Sequence, residues 1–479
     1  MSKSLTFYSD KDLEQINDNL DQIEVESIKT GYKLLDPSNE EYDKVMSIIV
    51  NFIKEQKRIV YGGSAYHAII QHYRKDKDST NTIYPEWDRY DIEFYSPNPL
   101  RDLVMISNRI HDAGIKFVIG RQAQHDETFT IFANFLQYCD MSYMPEHIYN
   151  KMEYIEINGM RYIHPEMILI DIFRMFNDPI TSYWRLGKVF KRMKLLLDKF
   201  PYDFITAQPI PLKEPAFAGK EPDHTKIINY VITKLVNSKH QFLFTGQLAY
   251  LIYTQPARKE IDTDNSLSQI EIISDDHNKV GKFIKTLTYK WAAENKQLNN
   301  YDNLFNIKFF SRFFQYWDNR TVIYYKDQPI FTILGSSNRC LPFINCQINF
   351  GLSNKLDIKV GTFLVTFNYY FIAYWYEKIN NLGFYFKDRN FINSLLTIRN
   401  EYLKSNNKTI MDKTIYKEFV ISCIGKTMEF SREFLLRMAD KRAKGQKGLL
   451  SYDPNTARGS QLELTFEQAD GLEIKETNN

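Results

Sequence analysis

The feature of this 479-residue sequence that most restricts its fold is a pair of adjacent glycines between a short strand and a helix. Residues 58–61 are predicted to form the strand, and residues 65–71 have the apolar spacing of the helix. Glycine tolerates the positive φ of such a tight turn. Backbone N–H groups at a helix N-terminus, beside a hydroxyl, bind phosphate oxygens readily. Gly62, Gly63 and Ser64 are therefore candidate phosphate-binding residues.

Acidic residues follow on the next predicted strands. Asp91 and Glu93 are separated by one residue, and side chains at i and i+2 of a strand project from the same face. Asp140, on a later strand, adds a third carboxylate. Hard divalent cations prefer oxygen ligands, and paired metal ions need acidic groups between them, so these three residues are the candidate catalytic and metal-binding groups. Asp88 precedes the strand and is a less favoured rival.

The same order of elements recurs in the second half of the chain. Residues 241–253 align without gaps with residues 58–70, and a predicted strand with Gln269 and Glu271 follows. Gln269 stands where the first copy has an aspartate, and Thr245-Gly246-Gln247 replaces the Gly-Gly-Ser turn. We therefore expect the second copy to hold no metal pair and to be catalytically inactive.

Overall composition excludes several classes of protein. Lys plus Arg number 61 against 59 for Asp plus Glu, so the net charge of +2 provides no global attraction for a polyanion. The mean hydropathy of -0.42 and the lack of an apolar run near 18 residues argue against a membrane span. Four scattered cysteines argue against a disulfide framework and predict a reducing, intracellular compartment.

A local basic stripe is predicted on the helix between residues 185 and 200. Its apolar residues lie on one face, and another face carries Arg185, Lys188, Lys191 and Arg192. This face is either solvated or binds phosphate, and the sequence leaves both interpretations open. Under the second, these four residues and the basic residues of 437–447 are candidates for binding nucleotide or RNA phosphates. Tyr183 and Trp184 are candidates for stacking on adenine, although aromatic residues near a helix start more often pack in the core.

The order of these motifs resembles the DNA polymerase β-like nucleotidyltransferases. That superfamily combines a Gly-Gly/Ser turn at a helix, an acidic pair spaced by one apolar residue, and a third acidic residue. The second copy and the length extend the resemblance, over residues 45–400, to the poly(A) polymerase catalytic subunits of large DNA viruses, both giant-virus and, more distantly, poxvirus homologues. The loop between Ser64 and Asp91 is longer than in most members, and Glu93 stands where many have aspartate.

The resemblance implies an α+β fold: a nucleotidyltransferase-type mixed sheet flanked by helices, followed by a second, degenerate nucleotidyltransferase-like domain. It implies template-independent addition of AMP from ATP to RNA 3′ ends, with two Mg²⁺ or Mn²⁺ ions per active site. Gly62, Gly63 and Ser64 would contact the ATP phosphates, and the three carboxylates would bind the metals. The implied partners are a primer RNA and a second copy in a homodimer, with no membrane; a separate processivity subunit is less favoured. The implied location is the virion and the host cytoplasm.

Composition and resemblance together divide the chain into six segments. The tail loses apolar periodicity and is predicted to be disordered, and four prolines mark a linker between the two copies. The segments are an N-terminal segment (1–44), the catalytic domain (45–206), the linker (207–225), the degenerate domain (226–400), C-terminal helices (401–439) and the tail (440–479).

Two other functions stay open at this stage. A nucleotidyltransferase acting on a small molecule would use the same turn and carboxylates, but a small acceptor would not require a second domain. A catalytically silent RNA-binding scaffold would keep the fold without the chemistry, and the intact acidic residues of the first copy argue against it.

Overall fold

The computed structural model describes residues 7–34, 37–73, 83–84, 88–201, 222–256, 267–336, 339–348, 355–382, 385–446, 448–459 and 473–474. The chain divides into two compact units, each assembled from separate segments. Unit 1 contains Met1–Tyr143, Tyr154–Ile163 and Met438–Leu464. Unit 2 contains Met144–Glu153, His164–Arg437 and Thr465–Asn479.

Helices and strands alternate through the first part of the chain. The helices are α1 (Asp10–Leu34), α2 (Asn39–Glu55), α3 (Gly62–Tyr73), α4 (Pro99–Asp112), α5 (Glu146–Tyr149), α6 (Pro165–Phe176), α7 (Pro179–Ser182) and α8 (Leu186–Lys199). The strands are β1 (Ile59–Tyr61), β2 (Ile92–Ser96), β3 (Val118–Gln122), β4 (Thr128–Ala133), β5 (Leu136–Tyr143), β6 (Tyr154–Ile157) and β7 (Met160–Ile163). A 3₁₀ turn, Tyr183–Arg185, links α7 to α8.

The second part of the chain has a similar alternation. The helices are α9 (Pro222–Val236), α10 (Gly246–Thr254), α11 (His277–Glu294), α12 (Tyr301–Leu304), α13 (Phe363–Asn380), α14 (Tyr385–Ser405), α15 (Phe430–Ala443) and α16 (Pro454–Ala457). The strands are β8 (Phe242–Thr245), β9 (Ile270–Ser274), β10 (Phe305–Phe310), β11 (Arg320–Tyr325), β12 (Gln328–Gly335), β13 (Leu341–Ile348), β14 (Leu356–Gly361), β15 (Cys423–Ile424), β16 (Ser451–Tyr452) and β17 (Glu473–Ile474).

Unit 1 is built on one mixed sheet with helices packed against it. Among the described residues its strand order is β6-β7-β1-β2-β5-β4-β3-β16, with β1–β7 and β2–β5 parallel. On α4, Leu103 and Ile106 are fully buried, and a Cβ at Gly120 of β3 would overlap the Leu103 side chain. This close approach shows which face of the sheet α4 covers. Asp102 of α4 also accepts two hydrogen bonds from the Arg58 guanidinium, at 2.7 and 2.8 Å, inside the same core.

The sheet of unit 2 repeats that of unit 1 strand for strand. Its order among the described residues is β13-β14-β8-β9-β12-β11-β10-β17, with β15 added outside β13. The directions also match, since β8–β9 is antiparallel like β1–β2, while β9–β12 and β8–β14 are parallel like β2–β5 and β1–β7. The expected α+β fold, with a mixed sheet followed by a second nucleotidyltransferase-like copy, is confirmed.

Two of the sequence-based boundaries differ from the structure. The helices α6 to α8, placed with the catalytic domain from sequence, cluster with unit 2. The tail predicted to be disordered is regular up to residue 459 in its described part: α15 ends at Ala443, and β16 pairs with β3. That pairing supplies the backbone hydrogen bonds and neighbours that the tail cannot provide for itself. The predicted linker lies outside the described residues up to residue 221, and α9 begins at Pro222.

The cysteines also depart from the expectation. Cys340 and Cys423 form a disulfide next to the antiparallel pair β13–β15, whereas Cys139 and Cys346 are free. The sparse cysteines correctly argue against a framework of several bridges. Their spacing does not indicate the bond between two residues 83 positions apart, and this disulfide weakens the prediction of a reducing compartment. None of the helices in the described ranges is both long and apolar enough to cross a membrane.

Candidate active site

The predicted glycine turn joins the end of β1 to the start of α3. Gly62 has φ +65°, a conformation that L side chains rarely adopt, and a Cβ there would overlap the Glu93 carboxylate. The Gly63 N–H donates a 2.7 Å hydrogen bond to Oε2 of Glu93. The hydroxyl of Ser64 donates to the carbonyl of Tyr61 at 3.3 Å. The turn is thus closed by a side chain of the neighbouring strand, at a helix N-terminus.

The carboxylates lie on the two central strands of the same sheet. Glu93 of β2 is the direct partner of Asp140 on the parallel strand β5, and Asp91 immediately precedes β2. Gln137 donates to Oδ2 of Asp91 at 3.3 Å and also hydrogen-bonds Asp140. Sheet pairing therefore brings together the three residues that the sequence separates by up to 49 positions.

The environment of Asp140 alters the pKa of its carboxyl. Burial, reinforced by the negative charge of Asp91, raises the pKa of the Asp140 carboxyl to about 6. Its Oδ1 is buried and has no hydrogen-bond partner among the described residues. A buried oxygen without a partner beside a second carboxylate is costly unless a cation or a proton occupies the space between them. The pair of Asp91 and Asp140 therefore fits a divalent cation.

Glu93 is positioned differently from this pair. Its carboxylate accepts a hydrogen bond from the Gly63 N–H. In the described ranges, no group of three or more acidic, histidine or cysteine side chains is arranged to hold a metal ion. The sequence predicts three ligands in one site; in the structure Glu93 is the strand partner of Asp140, and its Oε2 also accepts the hydrogen bond of the turn. The rival Asp88 accepts a 3.0 Å hydrogen bond from the Tyr32 hydroxyl.

The predicted basic residues lie in unit 2, at and beyond the start of α8. Arg185, Lys188 and Lys191 are exposed, and Arg192 is half-buried. Tyr183 and Trp184, expected to pack in the core, are 72% and 64% exposed, and the Arg185 guanidinium lies 4.3 Å from the Trp184 ring centre. Of the later basic group, Lys441 donates to Gln122 of β3 at 3.2 Å.

The second copy retains the turn and lacks the acidic pair. Gly246 has φ +58°, and the Gln247 N–H donates a 3.0 Å hydrogen bond to Glu271, which pairs with Thr245 as Glu93 pairs with Tyr61. Burial raises the pKa of Glu271 to about 8.

The neighbouring positions of this copy are uncharged. Thr332 on β12 pairs with Glu271 as Asp140 pairs with Glu93 in unit 1. The Gln269 side chain donates a hydrogen bond to the Thr332 hydroxyl. The sequence pattern points to Gln269 but not to Thr332 or, in unit 1, to Gln137. The equivalence of Thr332 and Asp140 becomes visible only from the strand pairing, which no local sequence pattern encodes.

The DNA polymerase β-like nucleotidyltransferase class is defined by a strand, a glycine turn that opens a helix, an acidic pair at the antiparallel neighbour and a third acid on the next parallel strand. Comparisons with known proteins agree. Residues 47–182 match the family model described as poly(A) polymerase catalytic subunit, and residues 287–477 match the model for the C-terminal region of the APMV catalytic subunit.

Individual relatives point to the same family. A protein of Acanthamoeba polyphaga mimivirus named as a poly(A) polymerase catalytic subunit is 30% identical over 480 residues, covering 94% of this chain and 79% of the relative. One of African swine fever virus (strain Badajoz 1971 Vero-adapted) is 29% identical over 160 residues, or 33% of this chain and 32% of the relative. The crystal structure of the Megavirus polyadenylate synthase superposes with a TM-score of 0.85 at 27% identity, covering 100% of this chain and 95% of that one.

The chain belongs to the viral poly(A) polymerase catalytic subunit family, as the sequence resemblance indicated. It is an enzyme of the nucleotidyltransferase class.

Proposed function

We propose that the chain adds AMP from ATP to RNA 3′ ends without a template. The 3′-oxygen of the RNA forms a bond to the α-phosphorus of ATP, the bond to the β-phosphate oxygen breaks, pyrophosphate leaves, and the hydroxyl proton is released. The single observation that carries this proposal is the Asp91–Asp140 pair with its unpartnered buried oxygen beside a helix-opening turn. Family membership supplies the substrate class.

The residues of the turn would bind the triphosphate. The first N–H groups of α3 have no partner within the helix, so those that Glu93 does not occupy can donate to phosphate oxygens. Gly62 and Gly63 keep side chains away from this surface. The hydroxyl of Ser64, which donates to the Tyr61 carbonyl in this structure, would rotate to donate to a phosphate oxygen. These roles are the ones that the sequence predicts for Gly62, Gly63 and Ser64.

The carboxylates would bind the metal and receive the proton. A divalent ion, when bound, stabilises charge on the phosphates and lowers the pKa of the attacking hydroxyl. Asp91 and Asp140 would hold Mg²⁺ or Mn²⁺, and Glu93 is the proposed third ligand for a site of two ions. Asp140 is also the proposed acceptor of the hydroxyl proton.

The wider assembly is part of the proposal. We favour a homodimer over a complex with a separate processivity subunit. The family description "catalytic subunit" indicates that the relatives act with a further subunit. The basic face of α8, with Arg185, Lys188, Lys191 and Arg192, is the proposed contact for RNA or nucleotide phosphates. The virion and the host cytoplasm are the proposed locations.

Primer extension tests this function. The full chain is incubated with a 5′-labelled RNA, Mg²⁺ or Mn²⁺ and each single NTP in turn. We expect stepwise elongation with ATP. Absence of elongation with every nucleotide, although the RNA is bound, would favour the silent RNA-binding scaffold, and transfer of AMP to a small acceptor only would favour the small-molecule enzyme.

A further inference from the structure

An exposed aromatic surface of unit 1 has no role in the site described above. It surrounds a cleft of about 330 Å³ at the β3–β4 edge of the sheet, and its main side chains are Lys116, Phe117, Ile119, Arg121, Phe132 and Phe135. We name these six residues the aromatic platform. Phe135 is 84% exposed, Phe117 is 61% exposed and Ile119 is 42% exposed, so the structure of this chain leaves large apolar groups in water.

The geometry of the platform is fixed by the hairpin between β4 and β5. Asn134 and Phe135 form its two-residue loop, and both have positive φ, at 44° and 68°. Glycine is favoured at such a position, and a bulky side chain there strains the backbone. The Asn134 N–H donates to the Phe117 carbonyl at 2.8 Å, and the rings of Phe117 and Phe135 stack with centroids 5.8 Å apart. The strained turn thus presents one ring beside another at the surface.

Positive charge accompanies these rings. The Arg121 guanidinium lies 4.3 Å from the centre of the Phe132 ring, and Lys116 lines the same cleft. The one carboxylate in the lining, that of Asp453, already accepts two hydrogen bonds from Asn455, at 2.8 and 3.0 Å. Aromatic faces next to Arg and Lys are the combination that binds single-stranded nucleic acid by stacking and by phosphate contacts.

The platform also lies on the same face of the sheet as the carboxylates. The strand pairing places Arg121, Thr130, Asp140 and Glu93 on one rung, and paired residues point to the same face. Phe117 and Ile119 share that face by alternation with Arg121, whereas Gly120 faces α4. At the usual spacing of strands, Arg121 is about 10 Å from Asp140 across the sheet.

We propose that the aromatic platform binds bases of the primer RNA a few nucleotides upstream of its 3′ end, by stacking on Phe117 and Phe135. The proposal rests on the proposed function for the position of the 3′ end at Asp140. The charge of Lys116 and Arg121 and the continuity of this face with the carboxylates favour RNA over a protein partner as the occupant.

The test compares full-length Phe117→Ala/Phe135→Gly with the wild type. Fluorescence anisotropy with a 5′-labelled oligo(A) measures RNA affinity, and extension of a dinucleotide primer measures chemistry on an RNA too short to reach the platform rings. We expect affinity for the long RNA to fall at least about tenfold, given the usual contribution of base stacking, and dinucleotide extension to stay within about twofold. Because glycine relieves the strained turn, Phe135→Gly alone should raise the melting temperature while weakening RNA binding.

Two controls separate the explanations. Phe117→Tyr/Phe135→Tyr keeps both rings and should bind RNA like the wild type. Tyr289→Ala removes a ring of α11 that is 50% exposed and should leave RNA affinity unchanged. Unchanged affinity in the Ala/Gly variant would overturn the proposal. A change in oligomeric mass with unchanged affinity per chain would also overturn it and assign the platform to a protein interface. If the wild type binds long RNA through the platform but extends no primer, the result contradicts the proposed function and leaves the platform proposal intact.

Discussion

Glu271 accepts a 3.0 Å hydrogen bond from the backbone N–H of Gln247, one residue after a glycine of positive φ. Glu93 does the same for Gly63 at 2.7 Å in unit 1. The copy that retains Asp91 and Asp140 and the copy that has lost both acids therefore share one turn-closing glutamate. Closing the turn is thus a structural function that is independent of metal binding.

This separation gives a matched pair of substitutions. Glutamine keeps an oxygen that can accept the turn hydrogen bond and cannot carry a carboxylate charge. We expect Glu271→Gln to leave nucleotidyl transfer within a few-fold of wild type, and Glu93→Gln to lower it by at least roughly 10²–10³-fold if its charge serves the metals. Single-turnover incorporation of AMP measures both. Near-normal Glu93→Gln would remove Glu93 from the metal site and leave it as a turn residue; loss of activity in both folded variants would mean that unit 2 carries chemistry.

Glu271 should also make stability depend on pH. Burial raises its pKa from 4.5 to about 8, so between these values the folded protein holds a proton that the unfolded chain releases. Stability conferred on the protonated form is therefore lost as pH rises through this window, by up to about 1.4 kcal/mol per pH unit. Glutamine does not titrate, so the melting temperature of Glu271→Gln should rise relative to that of the wild type as pH increases. Parallel melting curves from about pH 5 to pH 8 would contradict the buried, protonated state.

The turn and the acidic pair could be predicted because they are local. The positive φ of Gly62, the strand–turn–helix order and the i, i+2 spacing are all encoded within a few residues of sequence. The duplication could be inferred because Gly246 and Glu271 preserve the same local pattern. The strand-for-strand match of the two sheets then follows from the shared order of elements.

Other features depend on distant partners and could not be predicted. Gln137 and Thr332 acquire their places only through the pairing of β5 with β2 and of β12 with β9. The ordered tail depends on β16 adding to β3, and Phe135 at a turn position that favours glycine contradicts the local rule altogether. Such a departure is expected where a site has a function besides folding.

Gly62 is the position where an added methyl group should be least tolerated. Alanine would overlap the Glu93 carboxylate and adopt a left-handed conformation that costs roughly 1–2 kcal/mol. We expect Gly62→Ala to lower both the melting temperature and AMP transfer. A Cβ at Gly187 of α8 would have no neighbour within 4 Å. Because alanine favours a helix more than glycine does, Gly187→Ala should leave the melting temperature unchanged or raise it. Equal melting temperatures for the two variants would contradict the assigned turn.

The homodimer can be tested on the purified chain. We expect light scattering at micromolar concentration to give twice the 56.8 kDa mass of one chain. The exposed aromatic residues of unit 2, Tyr183 and Trp184, offer anchors for such an interface. A monomeric mass combined with undiminished processive extension would reject the homodimer.

The most direct test of the account is AMP transfer by Asp91→Asn and Asp140→Asn, with Asp302→Asn on α12 as a control for removing an exposed aspartate. The initial rate of elongation of a labelled RNA by ATP and Mg²⁺ is measured for variants whose melting temperatures match that of wild type. If the pair forms the catalytic centre, each of the first two variants loses at least roughly 10²–10³-fold in rate and the control keeps the wild-type rate. Near-normal elongation by either folded variant would contradict the placement of the active site at Asp91 and Asp140.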